Sequence, residues 1–370
     1  MKTLKIKDIC DKGSSALKQK DVEGQEGKYP VYGASGYISS IDTYHQEKDY
    51  IAIVKDGSGI GRVTFMPAYS SVIGTMQYIL PKEGYNIKYI SYCLQSLDLA
   101  KYKQGAAIPH IYFRDYGERY VNIEESLPEQ ERIVSLLDAE FAKIDAIKAN
   151  AEKQLQDAKA LFQSALKDYL TPKEGWEEKM LKEIGKTQTG CTPSMSKKEF
   201  YDEEYMPFVK PSEINFDGLG GINYKTQMLS KLGAENGRIF QPNSIFMVCI
   251  GATISKLGIS EREISCNQQI NVLTPKGLYH SKFIYYAMLN PTFINLVKKE
   301  GTSAQATLPI ISKGKWEQLK IRVPQYSDQQ QIAEQLDKIS AKIQSLQSNF
   351  DTTVTLCNDL KQSILKDIFG

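Results

Sequence analysis

At 370 residues, 41% hydrophobic and 24% charged, the chain is too long for one ordinary domain and too apolar to remain disordered. A net charge of +2 excludes an unstructured polycation. Six scattered cysteines with no C-x-x-C pair, and only three histidines, speak against a disulfide framework or a zinc site.

No run approaches the roughly 20 apolar residues of a bilayer span, and Met1–Ile9 alternates Lys with apolar residues instead of forming a signal-peptide core. A cytoplasmic protein with no membrane partner is expected.

Residues 1–126 predict a mixed α+β globule. Ile6-Lys-Asp-Ile9 precedes Gly13, and the apolar run Tyr50–Val54 reads as a strand leading to Gly57. Met76-Gln77 opens a second strand that ends at Pro81, and Tyr89–Leu99 is a helical patch. A Gly-led polar loop, Gln104 to His110, then runs into a short strand. Asp56-Gly57 after a strand reads as a hairpin turn, because Gly57-Ser-Gly-Ile-Gly61 is followed by Arg62 and does not complete G-x-G-x-x-G.

Residues 127–170 predict one long helix. Leu137, Ile144, Ala151, Ala158 and Ala165 recur every seven residues, flanked by Phe141, Leu155, Phe162 and Tyr169, the seam of a coiled coil. Ser126 and Glu129 have capping-box spacing, and Thr171-Pro172 with Gly175 stops the helix. Such a rod is on the order of 60 Å long.

Both elements then recur. Residues 171–326 hold a second globule, with Leu181-Lys-Glu-Ile184, Ser244–Val248 leading to Gly251, Gln268-Gln269 before a strand ending at Pro275, and the loop Gly301 to Pro309. The offset from the first globule grows from 175 to 194 to 200, so insertions fall near Tyr201–Leu232. Residues 327–370 repeat the rod at a constant shift of 199: Ile332, Leu336, Asp337 and Ile343 superpose on Ile133, Leu137, Asp138 and Ile144. Its seam is Leu336, Ile343, Phe350, Cys357 and Ile364, flanked by Ile339, Leu346 and Leu360, with Ser327 and Gln330 at capping-box spacing. A solitary heptad stripe needs a partner. Antiparallel pairing of the two rods within the chain competes with homodimerisation through parallel zippers, and closure entropy favours the former.

Formal charge is +1 over 1–126 and +5 over 177–326, against −2 for each helical segment, 127–176 and 327–370. Cationic globules rich in Tyr fit surfaces that contact phosphate and base edges. There is no P-loop, no Gly-rich S-adenosylmethionine loop and no Asn/Asp-Pro-Pro-Tyr/Phe motif. His45, His110 and His280 lack partners at metal or triad spacing, so no catalytic or metal residue is assigned. The chain is expected to bind and not to catalyse.

Two globules alternating with two similar long helices resemble the specificity subunit of type I restriction–modification systems, over essentially the whole chain. The segments Leu127-Pro-Glu-Gln-Glu-Arg-Ile133 and Val323-Pro-Gln-Tyr-Ser-Asp-Gln-Gln-Gln-Ile332 are similar to that family's Pro-x-x-x-Gln-x-x-Ile pattern, the first in shortened form. Lys28–Gly36 and Gly175–Pro193 look like openings of its target recognition domains.

The resemblance implies an α+β, pseudo-twofold protein: target recognition domains at 1–126 and 171–326, and spacer helices at 127–170 and 327–370 that pair antiparallel. Each domain would read one half of a split, asymmetric site in double-stranded DNA. Two modification (methyltransferase) and two restriction (translocase/nuclease) subunits would be partners. S-adenosylmethionine, ATP and Mg would belong to those partners and not to this chain. The specificity subunit of a type IIB-like system, a self-standing DNA-modifying enzyme and a DNA-indifferent coiled-coil scaffold remain alternatives.

Base reading requires donors and acceptors on rigidly based loops. Candidates in the first globule are Tyr32, Ser35, Tyr37, Lys55, Ser58, Arg62, Lys103, Gln104 and His110. In the second they are Lys210, Ser212, Ser255, Lys256, Asn267, Gln268, Gln269, Thr302, Ser303, Gln305 and Thr307. Gln77 or Gln269 can equally be buried and bond the backbone. Helix pairing is assigned to Leu137, Ile144, Phe162, Leu336, Ile343, Leu346 and Leu360.

Overall fold

The computed structural model describes residues 1–105, 109–215, 219–302 and 308–370. The chain has a mixed α+β fold in two units, residues 1–151 with 351–370, and residues 152–350. No helix among the described residues is long and apolar enough to cross a membrane.

In the first unit a four-stranded sheet runs in the order Cys10–Ser14, Met76–Pro81, Tyr50–Val54, Val63–Met66, all neighbours antiparallel. The apolar run Tyr50–Val54 is central and buried on both faces, which is why it lacks polar alternation. Its period of two still sorts the side chains: Ile51 and Ile53 join the core with Tyr89, Ile90 and Leu94 of the helix Ile87–Gln95, while Tyr50, Ala52 and Val54 pack with Met66, Val72 and Tyr78. A three-stranded sheet places Tyr29–Gly33 between Gly36–Ile41 (antiparallel) and Ser71–Val72 (parallel). Lys2–Lys5 pairs with Tyr120–Ile123 just before the first long helix.

The second unit repeats this plan. Its four-stranded sheet runs Gly185–Thr189, Ile270–Pro275, Ile245–Val248, Leu257–Ile259. Ile245 and Met247 face one core, Phe246 and Val248 the other. Met206–Val209 lies between Met228–Leu229 and Ser265–Cys266, again with one antiparallel and one parallel neighbour, and Glu177–Met180 pairs with Lys320–Val323. The predicted insertion has a definite place: the short turn Ala34-Ser35 of the first unit is replaced by the connection 210–227 in the second.

The long helices are Leu127–Tyr169 and Tyr326–Phe369. Within the first unit, Lys361 Nζ binds Asp145 Oδ1 at 2.7 Å, Cys357 Sγ points at Ile144 C=O at 3.8 Å, and Leu365 and Phe369 share a cluster with Ile133, Val134 and Leu137. Over this stretch the two helices run in opposite directions. Within the second unit Lys159 Nζ reaches Gln347 Oε1 at 2.9 Å, and Phe162 packs in one core with Leu336 and Ile343.

Leu137, Ile144, Phe162, Leu336 and Ile343 are buried, and Leu346 is half-buried against the core. Leu360 is not part of the seam: it is 50% exposed. The register steps from Cys357 to Lys361 by four, and the Lys361 ammonium lies 5.1 Å from the Phe141 ring centre while it also meets Asp145, a cation–π contact added to an ion pair. Tyr169 is exposed too, its place taken by Leu166 and Leu170.

The expected capping boxes are also replaced. Glu129 binds Arg132 (2.8–3.0 Å), and the Ser126 N–H goes to Glu124. The second helix begins at Tyr326, which puts Ser327 inside its first turn, and Gln330 turns to Glu334. Two buried glutamines hold the helix starts instead. Gln130 accepts from Asn86 N–H (2.7 Å) and donates to Glu124 C=O (2.7 Å). Gln329 accepts from His280 N–H (2.9 Å) and donates to Pro324 C=O (2.8 Å).

About two turns later a carboxylate repeats: Asp138 takes Lys88 Nζ (2.8 Å) and Tyr92 Oη (2.5 Å), and Asp337 takes Lys282 Nζ (2.6 Å) and Tyr286 Oη (2.7 Å). Burial opposes ionisation of Asp138, but the bonds from Lys88 and Tyr92 outweigh it and hold its carboxyl below the usual range.

Candidate nucleic-acid interface

In the first unit three loops from different parts of the chain converge. The loop between Tyr50–Val54 and Val63–Met66 is a glycine hairpin, closed by Gly61 N–H to Val54 C=O (2.8 Å) and Val54 N–H to Arg62 C=O (3.0 Å). Gly61 has φ 84°, and a Cβ there would come within 2.6 Å of the Ala100 nitrogen, so only glycine fits. Arg62 reaches from this hairpin to the Ala34 carbonyl (2.9 Å) in the turn Gly33–Gly36. The 103–110 loop is fastened from the other side: Ile111 N–H donates to Lys55 C=O (2.9 Å), and His110 Nδ1 lies 2.5 Å from Asp56 Oδ1. The three segments proposed from sequence therefore lie together.

Tyr37 stands 63% exposed, its ring edge-on to Tyr32 at 6.2 Å and its hydroxyl 3.1 Å from Ser40 Oγ. Ser35, Ser58, Arg62, Lys103 and Gln104 are exposed, and Lys55 and His110 are half-buried. Gln104 Nε2 binds Asp115. Sequence reading missed the rest of this surface: His110 stacks on Tyr112 (6.4 Å, 26°), and the Arg114 guanidinium lies 4.6 Å from the Tyr112 ring centre. The spacing His110-x-Tyr112-x-Arg114 was the available signal. Tyr29, Tyr44 and Tyr69 form a further aromatic group, with Lys28 over Tyr29. Gln77 is buried and donates to Tyr116 Oη at 2.6 Å, so it is structural.

The second unit gathers corresponding segments. Asn267 N–H donates to Val209 C=O (3.2 Å), Cys249 N–H to Gln269 C=O (2.9 Å) and Gly251 N–H to Pro309 C=O (2.9 Å). Gln268 and Gln269 are exposed, Asn267 and Lys256 half-buried. Asn267 orders its own loop through Gln269 (2.9 and 3.1 Å), while Thr192, another residue missed from sequence, donates to Gln268 Oε1 (2.6 Å). Lys210 Nζ binds Gln227 Oε1 and Ser212 Oγ binds Glu213, so both help shape the 210–227 connection.

Ser255 does not belong to the surface. It is 5% exposed with φ 75°, turned inward at a tight turn where its N–H bonds Val248 C=O. Ser303, Gln305 and Thr307 lie outside the described residues, and Thr302 ends the helix Pro291–Thr302.

Five of the six thiols are buried. Burial pushes Cys10, Cys93 and Cys249 up to about 12, so these thiols stay protonated at neutral pH and act as apolar filling. No group of His, Cys, Asp and Glu among the described residues could hold a metal ion.

Two α+β units of one plan, each presenting a cluster of polar and basic loops, define a duplicated binding protein. The model of the type I restriction modification DNA specificity domain matches residues 1–157 and 173–355. The chain belongs to that family of DNA specificity domains.

The HindI specificity subunit of Haemophilus influenzae is 32% identical over 136 residues, 36% of this chain and 29% of that protein. The EcoR124I/EcoR124II specificity subunit of Escherichia coli is 25% identical over 284 residues, 73% of this chain and 67% of that protein. The first match thus spans under a third of the relative's length. A solved chain from work on complex assembly and conformational transition of the type I R-M system superposes with a TM-score of 0.69 at 16% identity, covering 98% of this chain and 96% of that one. The fold is shared.

Proposed function

We propose that this chain is the sequence-specific DNA-binding specificity subunit of a type I restriction–modification complex. Residues 1–126 and 171–326 act as two target recognition domains, each reading one half of a bipartite site. The segments 127–170 and 327–370 pair antiparallel along their length, set the spacer between half-sites and dock the methyltransferase subunits. Two modification and two restriction subunits complete the complex in the cytoplasm. S-adenosylmethionine, ATP and Mg are bound by those partners, which carry the chemistry.

One observation carries this reading: the same fold assembles the same loops twice, with different side chains on them. A duplicated pair of readers suits two half-sites, and unlike readers call for unlike halves. Exposed Lys and Arg supply phosphate contacts, and Gln, Asn, Tyr and His supply base-edge donors and acceptors.

The test is to sequence, with methylation detection, a genome exposed to the chain and its modification subunit. One split, asymmetric motif is expected, and the purified complex should retard that duplex in the presence of random competitor. Absence of any split motif refutes the reading.

A further inference from the structure

The two units place opposite chemistry at one equivalent point. In the first, an isolated bridge joins Asp56 to His110, flanked by the bonds Gly57 N–H to Pro109 C=O (3.4 Å) and Ile111 N–H to Lys55 C=O (2.9 Å). In the second, a bridge joins Ile250 to Ile310, flanked by Gly251 N–H to Pro309 C=O (2.9 Å) and Ile311 N–H to Cys249 C=O (2.9 Å). The backbone pattern is identical at shifts of 194 and 200 residues.

The side chains differ in kind. Asp56 and His110 hydrogen-bond to each other, and the His110 side chain remains 39% exposed. In the second unit Ile310 is 42% and Leu308 48% exposed, next to a loop cluster that is otherwise polar. The second unit thus presents aliphatic surface where the first presents a hydrogen-bonding pair.

We propose that this bridge is where the two readers diverge in base preference: the Asp56–His110 pair contacts a hydrogen-bonding base edge, and the Ile250–Ile310 pair packs on the 5-methyl group of a thymine. The inference rests on the DNA-reading function proposed above and adds the residues that make its halves unlike. In the major groove only thymine offers a methyl group, while the other bases offer donors and acceptors. With Nδ1 committed to Asp56, His110 has Nε2 left for a base. An isoleucine offers no polar atom, so a donor or acceptor pressed against it would lose water without a replacement.

The test uses the full chain assembled with its modification subunit and duplexes bearing the methylated motif. Each thymine is replaced singly by deoxyuridine, which removes only the methyl group. In one half-site, one such replacement should weaken binding about fourfold, the worth of one buried methyl, and Ile310→Ala should abolish that sensitivity. Because Ile310 is partly exposed, this truncation spares the core, and Ile250→Ala provides a second variant.

His110→Ala should weaken binding through one base pair of the opposite half-site while leaving the deoxyuridine effect intact. A motif with no thymine in the half-site sensitive to Ile310, or a deoxyuridine effect unchanged in both isoleucine variants, overturns the inference. Failure to find any split motif counts against the DNA-specificity reading itself.

Discussion

Replacing Gln130 by Met tests the account of how the long helices are seated. The Gln130 side chain is fully buried and makes two hydrogen bonds of 2.7 Å, one from Asn86 N–H and one to Glu124 C=O. Methionine is of similar volume but offers neither a donor nor a comparable acceptor, so packing is conserved while two backbone groups lose their partner. At about 1–2 kcal/mol for each, the unit should lose about 2–4 kcal/mol. For a unit of this size that lowers the thermal midpoint by roughly 5–15 °C.

The assay is thermal and urea unfolding of the full chain, with Gln330→Met as control. Gln330 is exposed and bonds Glu334 at 3.2 Å, so its loss should stay within about 0.5 kcal/mol. Gln329→Met should repeat the large effect in the other unit. If Gln130→Met and Gln329→Met match the control, the buried amides do not anchor the helix starts.

Asp138 has a depressed carboxyl, so its bonds stabilise the fold above the ordinary value of 3.8 and are lost as pH falls through the lower folded value. Since this side chain is 40% exposed, solvent screening limits the contribution to about 1 kcal/mol or less. The stability gap between the wild-type chain and Asp138→Asn should close below pH 3.8 in pH-resolved urea titrations. Leu137→Pro removes a backbone bond and a fully buried side chain, costing about 3 kcal/mol or more. Co-purification should show loss of the modification subunit, and normal assembly and methylation would refute the spacer role. Lys256→Gln should weaken all duplexes alike and reduce the salt slope by about one, whereas Gln268→Ala should cost about 1–3 kcal/mol at a single base pair. Equal losses on specific and random duplexes for both variants would contradict direct readout.

The duplication was legible because helical periodicity and a constant shift of 199 survive in the apolar rows, and because central strands such as Tyr50–Val54 announce two-sided burial. The first unit's candidate loops were named from sequence one by one, but the contacts that join them, Arg62 to Ala34 and Asp56 to His110, depend on partners distant in the chain. Leu360 was misplaced because steps of three and of four satisfy a heptad equally well until the opposite helix selects one. Serine misled in two ways. At Ser126 and Ser327 local capping yielded to long-range amides, and at Ser255 a polar residue was turned inward by a left-handed backbone. The pairing of Gln130 with Asn86 and of Gln329 with His280 had no local signature.

The corner of the three-stranded sheet also separates the two units. One closes it with Ala34-Ser35 and the other with residues 210–227, while the neighbouring strands keep the same partners and directions. Such a corner behaves like a socket that accepts inserts of different length without rewiring what lies beneath. The length of the connection is thereby uncoupled from the pairing of the strands that carry it.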